Sequence, residues 1–320
     1  MRIIAFDVRP DEREEFARQA ARGDVDELVC RDEPLTAENA GLVDGFDAVL
    51  TQGMVGYDAD LLARLADCGM RVLVTRTIGT DHIDLAAAER LGIRVSNTSY
   101  APDSVADFTL MLMLVALRKY KQMVYRQNVN DFSLPGLMGR TLSSLTVGVV
   151  GTGRIGRAVA QRLRGFGARV IGYDPVPSDE FRALGEYVSL DELFSAADVI
   201  TFHAPSTPDN FHMVRDETLA RMRDGVVLVN TARASLMDVS TLIAGIESGK
   251  IGALAMDVFE GEDEIYHAFR MHDIIANRDM AYLRQFPNTV LTQHVAFYTQ
   301  QAVDEMVSHA VDAALRLARP

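Results

Sequence analysis

The chain has too few cysteines for a disulfide framework. Only Cys30 and Cys68 occur, and they have no metal-ligand spacing. No HExxH motif and no Cys/His cluster is present, so no metal is expected. Positive charge is also scarce: 32 Lys and Arg stand against 45 Asp and Glu, a net charge of −13. No basic cluster interrupts that balance, which argues against a nucleic-acid partner. A small anion is still possible, because one local Arg can serve it. The opening MRIIAFDVRP lacks the apolar core of a signal peptide, and the most apolar run, Phe108 to Leu117, is about half of what spans a bilayer. The expectation is a cytoplasmic protein with no membrane partner.

What the chain does have is concentrated at 146–174. A run of small and β-branched residues, Val147 to Val150, leads into GTGRIG, then a helical pattern, then a second strand at Arg169–Tyr173 that ends on Asp174. Strand, glycine turn, helix, strand and acid in that order predict a dinucleotide site. Gly151 permits the turn. Gly153, with Arg154 and Ile155 after it, lets a pyrophosphate approach the helix N-terminus, and Gly156 lets the helix pack closely. Asp174, 18 residues beyond Gly156, is placed for a ribose 2′-OH and would repel a 2′-phosphate, so the cofactor reads as NAD.

At 320 residues and 48% apolar content, two domains are expected. Before the glycine motif, strands are predicted at Arg2–Val8, Ala48–Thr51, Val72–Thr75 and Arg94–Ser96. Helices are predicted at Glu12–Arg22, Asp58–Cys68 and Ile83–Leu91. Alternation of this kind indicates a parallel sheet. A buried helix follows at about Asp103–Arg118, with Met111 and Met113 as packing residues, and 125–145 read as an irregular connection. After Asp174, strands at Tyr187–Ser189, Asp198–Phe202, Val226–Val229, Gly252–Met256 and Thr289–Thr292 each end in a polar cluster. The last helix spans Gln300–Leu317. The fold class is therefore α/β in two domains: a Rossmann-type nucleotide domain at 101–297, and a smaller flavodoxin-like substrate domain from 1–100 and 298–320.

Reduction of a 2-keto acid needs a carboxylate anchor, a proton donor and a group that orients the donor. Arg233, Glu262 and His294 fit those roles and lie 29 and 32 residues apart, each in a loop after a strand. His82 and His203 compete for the proton donor, although His203 reads better as a cofactor neighbour. Arg233 could instead pair with Asp238, and Glu262 sits in an acidic run typical of a solvated loop. In RTIGTDHID, Gly79 and its neighbouring amides could cradle an anion, or Asp81 could simply cap a helix.

Taken together, RTIGTDHID, SYAPDSVADF, VGVVGTGRIGR with Asp174, HAPST, VLVNTARASLMD, AMDVFEGE and PNTVLTQHVAFYT resemble the D-isomer-specific 2-hydroxyacid dehydrogenases over nearly the whole chain. The D-lactate, D-2-hydroxyisocaproate and (R)-2-hydroxyglutarate branch is the nearest in pattern. The resemblance implies that Arg233, Glu262 and His294 are catalytic, that the Ile78 and Gly79 amides hold the substrate carboxylate, and that Tyr100 closes over the substrate. It implies cofactor contacts at His203, Pro205, Thr231, Arg233 and Asp257, the last facing the nicotinamide amide. It also implies a cleft that closes on binding and a homodimer formed through the nucleotide domains. Gln52, Met54, Tyr100, Phe297 and Tyr298 are the expected side-chain pocket, and their neutrality favours a lactate-like or apolar side chain over a second carboxylate. Ala234 replaces a glycine common in the family, and APDSVAD replaces a segment resembling SPNAIAE. The rival of a different class is an NAD-responsive binding protein of the corepressor kind.

Overall fold

The computed structural model describes residues 1–53, 55–262 and 265–318, so Met54 lies outside the described residues. The chain divides into two compact units, Met1–Ala101 with Tyr298–Pro320, and Pro102–Phe297.

The first unit is built on five parallel strands: β1 (Arg2–Ala5), β2 (Glu27–Cys30), β3 (Ala48–Thr51), β4 (Val72–Thr75) and β5 (Arg94–Asn97). Their order, β2-β1-β3-β4-β5, is that of a flavodoxin-like sheet. Both faces are covered, which explains why the central strands read as unbroken apolar runs. Successive side chains point to opposite faces. Ile3, Ala48, Leu50, Val72 and Val74 pack against Val307, Ala310, Val311 and Ala314 of the C-terminal helix Gln300–Ala318. Ile4, Val49 and Leu73 pack on the other side against Leu61, Leu62, Leu65, Ala87 and Ala88. The helices Ala59–Asp67 and Leu85–Arg90 start at side-chain caps, Asp58 accepting from the Leu61 amide and Asp84 from the Ala87 amide. The cap is thus Asp84 and not Asp81. β2 was not anticipated. It is a four-residue edge strand with no buried residue, so it carries no hydrophobic signal.

At the carboxyl edge of this sheet Arg76 and Glu12 are both 0% exposed and pair at 3.0 Å. Arg76 also donates to the main-chain oxygens of Phe6 (2.9 Å) and Asp7 (3.0 Å), and lies over the Phe16 ring. Gln52 donates to Glu12 at 2.8 Å and is 6% exposed. The ends of β1, β3 and β4 are thereby tied by one buried network. Gln52, expected at the side-chain pocket, thus has its amide nitrogen bound to the buried ion pair.

The second unit has seven parallel strands: β6 (Thr146–Val150), β7 (Arg169–Tyr173), β8 (Glu186–Tyr187), β9 (Val199–Phe202), β10 (Val226–Asn230), β11 (Ile251–Met256) and β12 (Thr289–Leu291). The order β12-β11-β10-β9-β6-β7-β8 reverses direction between β6 and β9, the switch point at which such sheets bind ligands. Val147, Val149, Val227, Val229, Ala253 and Ala255 face the helices Asp103–Leu117 and Arg154–Gly165, through Leu112, Met113, Val159 and Leu163. Val150, Leu228, Leu254 and Met256 face Leu193, Phe194, Leu219, Leu242 and Ile246. Met113 is fully buried, but Met111 is 41% exposed and does not pack in the core. Residues 128–145 form the expected irregular connection, with one 3-10 turn at Leu142–Ser144, and the segment just before them is helical. Lys119 adopts a left-handed conformation (φ 55°), and a new helix, Tyr120–Gln127, follows with no buried residue. Without a core-facing stripe it leaves no periodic signal.

Replacing Glu12 or Arg76 singly with Leu strands a buried charge and is expected to cost about 3–5 kcal/mol in urea unfolding. The double replacement, which removes both charges, is expected to recover most of that loss.

Candidate active site

The glycine loop leaves β6 at Val150. Gly151 has φ +87°, and a Cβ there would lie 2.6 Å from the carbonyl carbon of His203. A Cβ on Gly156 would stand 2.0 Å from the Gly151 oxygen and 3.3 Å from Val149, so the helix meets the turn and β6 at van der Waals limits. At Gly153, which caps the helix Arg154–Gly165, a Cβ would meet nothing within 4 Å. Two glycines are thus required by the fold and one opens onto free space, at a helix end whose amides attract anions. Arg154 and Ile155 form the first turn of that helix. Asp174 follows β7 and accepts from the Thr152 amide at 2.7 Å and the Val176 amide at 2.9 Å. It fixes the loop from the side as well as marking the end of the strand. These features fit a dinucleotide.

The remaining residues follow strands of the same sheet. After β9, His203 donates its amide to Val150 (2.7 Å), and its Nε2 meets Thr201 Oγ1 at 2.9 Å. The residue keeps some surface, but Nδ1 is shut off from solvent. Burial holds the imidazole neutral and pushes its pKa down to about 3. A histidine held neutral near pH 7 is poorly suited to act as a cationic proton donor. Two residues on, the Pro205 oxygen accepts from Asn210.

After β10, Asn230 is fully buried and shapes the next turn. Its side chain accepts from the Ala232 amide and donates to the Arg233 oxygen, both at 2.9 Å. Thr231 is tied to Thr109 at 2.8 Å. Asp238, the alternative partner of Arg233, caps the following helix through Thr241.

Asp257, just after β11, is 1% exposed. One carboxylate oxygen accepts from Thr292 Oγ1 (2.5 Å) and the Val295 amide (3.0 Å), and the other from the Ala296 amide (2.7 Å). Burial is the largest influence and pushes its pKa up, against the pull of those three donors. In this geometry Asp257 anchors the 292–296 turn.

Five residues later Glu262 accepts from His294 Nδ1 at 2.5 Å and from the Phe259 amide through its other oxygen. A carboxylate only accepts, so His294 carries its hydrogen on Nδ1, and Nε2 takes no part in that bond. The Glu262 side chain is 18% exposed and that of His294 39%, which leaves the donor open to a ligand while its partner is sheltered. The acidic run therefore includes one residue that is not a solvated surface charge.

In the first unit, the carbonyls of the 77–79 turn are all engaged. Thr77 O accepts from the Thr98 amide, Ile78 O from Asn97, and Gly79 O from Thr77 Oγ1. Ile78 itself is 38% exposed. Tyr100 is nearly buried, whereas Tyr298 is half exposed with Arg9 over its ring at 5.7 Å. His82, the other competitor, packs edge-on against Tyr57. Phe297, in the second unit, meets the His267 ring edge-on at 6.4 Å. Sequence reasoning passed over Asn230, Thr292 and His267. The Asn in VNTAR, at a strand end before a turn, was the one available signal.

Residues 110–296 match the family model of the D-isomer specific 2-hydroxyacid dehydrogenase NAD binding domain. The chain belongs to this dehydrogenase family. The dehydrogenase is 41% identical over 310 residues to the aromatic 2-oxoacid reductase of Clostridium sporogenes, spanning 96% of this chain and 93% of that one. It is 37% identical over 321 residues to the D-lactate dehydrogenase of Leuconostoc mesenteroides subsp. cremoris, spanning 100% and 97%. Among solved structures, the NAD-complexed D-isomer specific 2-hydroxyacid dehydrogenase of Lactobacillus delbrueckii ssp. bulgaricus superposes with a TM-score of 0.89 at 29% identity, over 100% of this chain and 99% of that one. The dehydrogenase is an NAD-dependent oxidoreductase. Among the described residues, no helix is long and apolar enough to cross a membrane.

Unfolded, His203 takes up a proton near pH 6.5, whereas folded it does so near 3. The folded state therefore loses stability as pH falls from 6.5 toward 3, by about 1.4 kcal/mol per pH unit. His203→Asn is expected to flatten the acid limb of the urea midpoint against pH by that slope. An unchanged limb would show that His203 is not buried neutral.

Proposed function

We propose that the dehydrogenase reduces a small 2-keto acid reversibly to the D-2-hydroxy acid, with Arg233, Glu262 and His294 as its working groups. The observation that carries this reading is the 2.5 Å contact between Glu262 and His294 Nδ1, which leaves Nε2 free. Bound NADH supplies the reducing equivalent, held by the Gly151–Gly156 loop and by Asp174 at the ribose. The Arg233 guanidinium binds the substrate carboxylate and polarises the neighbouring carbonyl, assisted by the Ile78 and Gly79 amides. His294 Nε2 donates a proton to the carbonyl oxygen as it gains charge, and Glu262 stabilises the imidazolium that makes this possible. In the reverse direction the neutral imidazole takes that proton back. A binding-only protein would have no use for an exposed imidazole backed by a sheltered carboxylate.

For the substrate side chain, Tyr100, Phe297 and Tyr298 are neutral, which suits pyruvate and a D-lactate product. A second reading, a larger aromatic 2-oxo acid, is supported by the name of the Clostridium sporogenes relative. A second carboxylate on the substrate suits neither.

The working form in this reading is a homodimer made through the second unit. From 120 to 138 that unit exposes Tyr120, Tyr125, Val129, Phe132, Leu134 and Met138, the last four at 74% to 87%. So much apolar surface on one segment marks an interaction face. Met138 also lines a cavity of about 580 Å³ with Lys121, Gly252 and Asn288, at the amino edge of the sheet and away from the glycine loop.

His294→Gln is expected to lower turnover by about 10²–10⁴-fold while NADH affinity stays within about twofold. Little change in turnover would remove His294 as the proton donor. Initial rates with NADH on pyruvate, 4-methyl-2-oxopentanoate, phenylpyruvate and 2-oxoglutarate should rank pyruvate first and 2-oxoglutarate last, and a lead by 2-oxoglutarate would overturn the pocket assignment. For the assembly, Phe132→Asp with Leu134→Asp should convert a dimer to a monomer in light scattering. A monomeric parent protein would overturn the homodimer.

A further inference from the structure

His294 is one of six non-glycine residues with positive φ among those described, at +55°. A left-handed conformation costs a residue with a Cβ about 1–2 kcal/mol, so it persists only where its surroundings enforce it. Three side chains from the segment after β11 do so. Asp257 holds the amides of Val295 and Ala296, and Glu262 holds the ring. The third is His267, whose Nε2 lies 3.0 Å from the main-chain oxygen of His294. A carbonyl only accepts, so His267 Nε2 carries a hydrogen and donates it. The His267 ring lies 6.2 Å from the His294 ring and stands edge-on to Phe297. His267 is itself left-handed, with φ +58°, so a second strained residue is held at the same contact.

We propose that His267 is a positioning residue for the general acid–base. Its hydrogen bond holds the 294 peptide in the left-handed turn, while Glu262 holds the far end of the same side chain. With backbone and ring both fixed, Nε2 has one direction in which to offer its proton. With the His267 bond absent, the peptide can relax toward an unstrained conformation and carry the ring with it. A misplacement of about 1 Å at a reacting group can cost up to about 10²-fold in rate. The inference rests on His294 being the proton donor.

The test compares two replacements at 267. His267→Phe keeps a flat ring beside Phe297 and removes the donor. His267→Gln keeps an amide N–H that can reach the same carbonyl. With saturating pyruvate, or whichever 2-oxo acid the panel ranks first, His267→Phe should lose about tenfold in kcat. NADH affinity and the KM for the 2-oxo acid should stay within about threefold. The isotope effect on kcat with NADH deuterated at the transferred position should rise as the chemical step slows. His267→Gln should restore kcat to within about threefold of the parent and return the isotope effect. The proposal is overturned if His267→Phe turns over within twofold of the parent, if Gln is as impaired as Phe, or if only KM changes. A collapse in His294→Gln alongside an unaffected His267→Phe would fail this inference alone. Retained turnover in His294→Gln would fail the reading beneath it.

Discussion

The turn that carries His294 depends on one buried carboxylate, Asp257. β12 is a short edge strand, paired with β11 over only three residues, Thr289 to Leu291. Three backbone pairings would leave the following loop poorly fixed. Asp257 supplies what the ladder lacks by taking the Thr292 hydroxyl and two amides beyond it. Its own amide donates to the Asn230 oxygen at 2.9 Å, which joins the end of β10 to the same point. Because Asn230 also closes the turn that presents Arg233, that turn and the 292–296 turn share a common reference. Burying a carboxylate is unfavourable unless its oxygens find donors, and here those donors come from the turn that needs fixing.

A related arrangement recurs at the sheet edge of the first unit, with a different result. Glu12 and Arg76 are also buried, and they pair with each other, with Gln52, with the Arg9 amide and with two main-chain oxygens, while Arg76 Nη1 is left without a partner. That network ties strand ends together and runs outward to Arg9, whose amide donates to Glu12 at 2.9 Å and whose guanidinium lies 3.7 Å from it. Around Asp257 the network ends at a histidine with one nitrogen bound and one offered. A buried polar cluster of the first kind ties strand ends together, and one of the second kind also presents a reactive atom.

How legible each part was follows from how it is stabilised. Central strands were readable because alternate residues bury on both faces, as Val147, Val149 and Val150 do. β2 and the helix Tyr120–Gln127 were not, because neither buries a residue fully and hydrophobic periodicity is therefore silent. Gly151 and Gly156 were readable because a Cβ is excluded by backbone atoms close in sequence or on the adjoining strand. The bond from Gln52 to Glu12 was not readable, because a side chain's partner 40 residues away leaves no mark on spacing. His267 was passed over for the same reason: its hydrogen bond crosses 27 residues to a main-chain oxygen, and any residue type could have supplied that oxygen.

The sequence held His203 and His294 as rivals with the same side chain and the same position after a strand. Environment separates them. His203 has its ring enclosed, one nitrogen shut off and a hydroxyl at the other, so nothing compensates a positive charge and the neutral form prevails. His294 has a carboxylate at one nitrogen and an open path at the other. Hydride chemistry leaves a negative oxygen that must be met by a proton, and only a base that tolerates both of its charge states can supply one and recover it. Enclosure removes that tolerance from His203 and suits it to lining a cofactor. His294 instead has a sheltered carboxylate behind an exposed ring. The difference between the two therefore comes from what each ring is packed against, and His267, bonded to the main-chain oxygen of His294, belongs to the same surroundings as the carboxylate behind the ring.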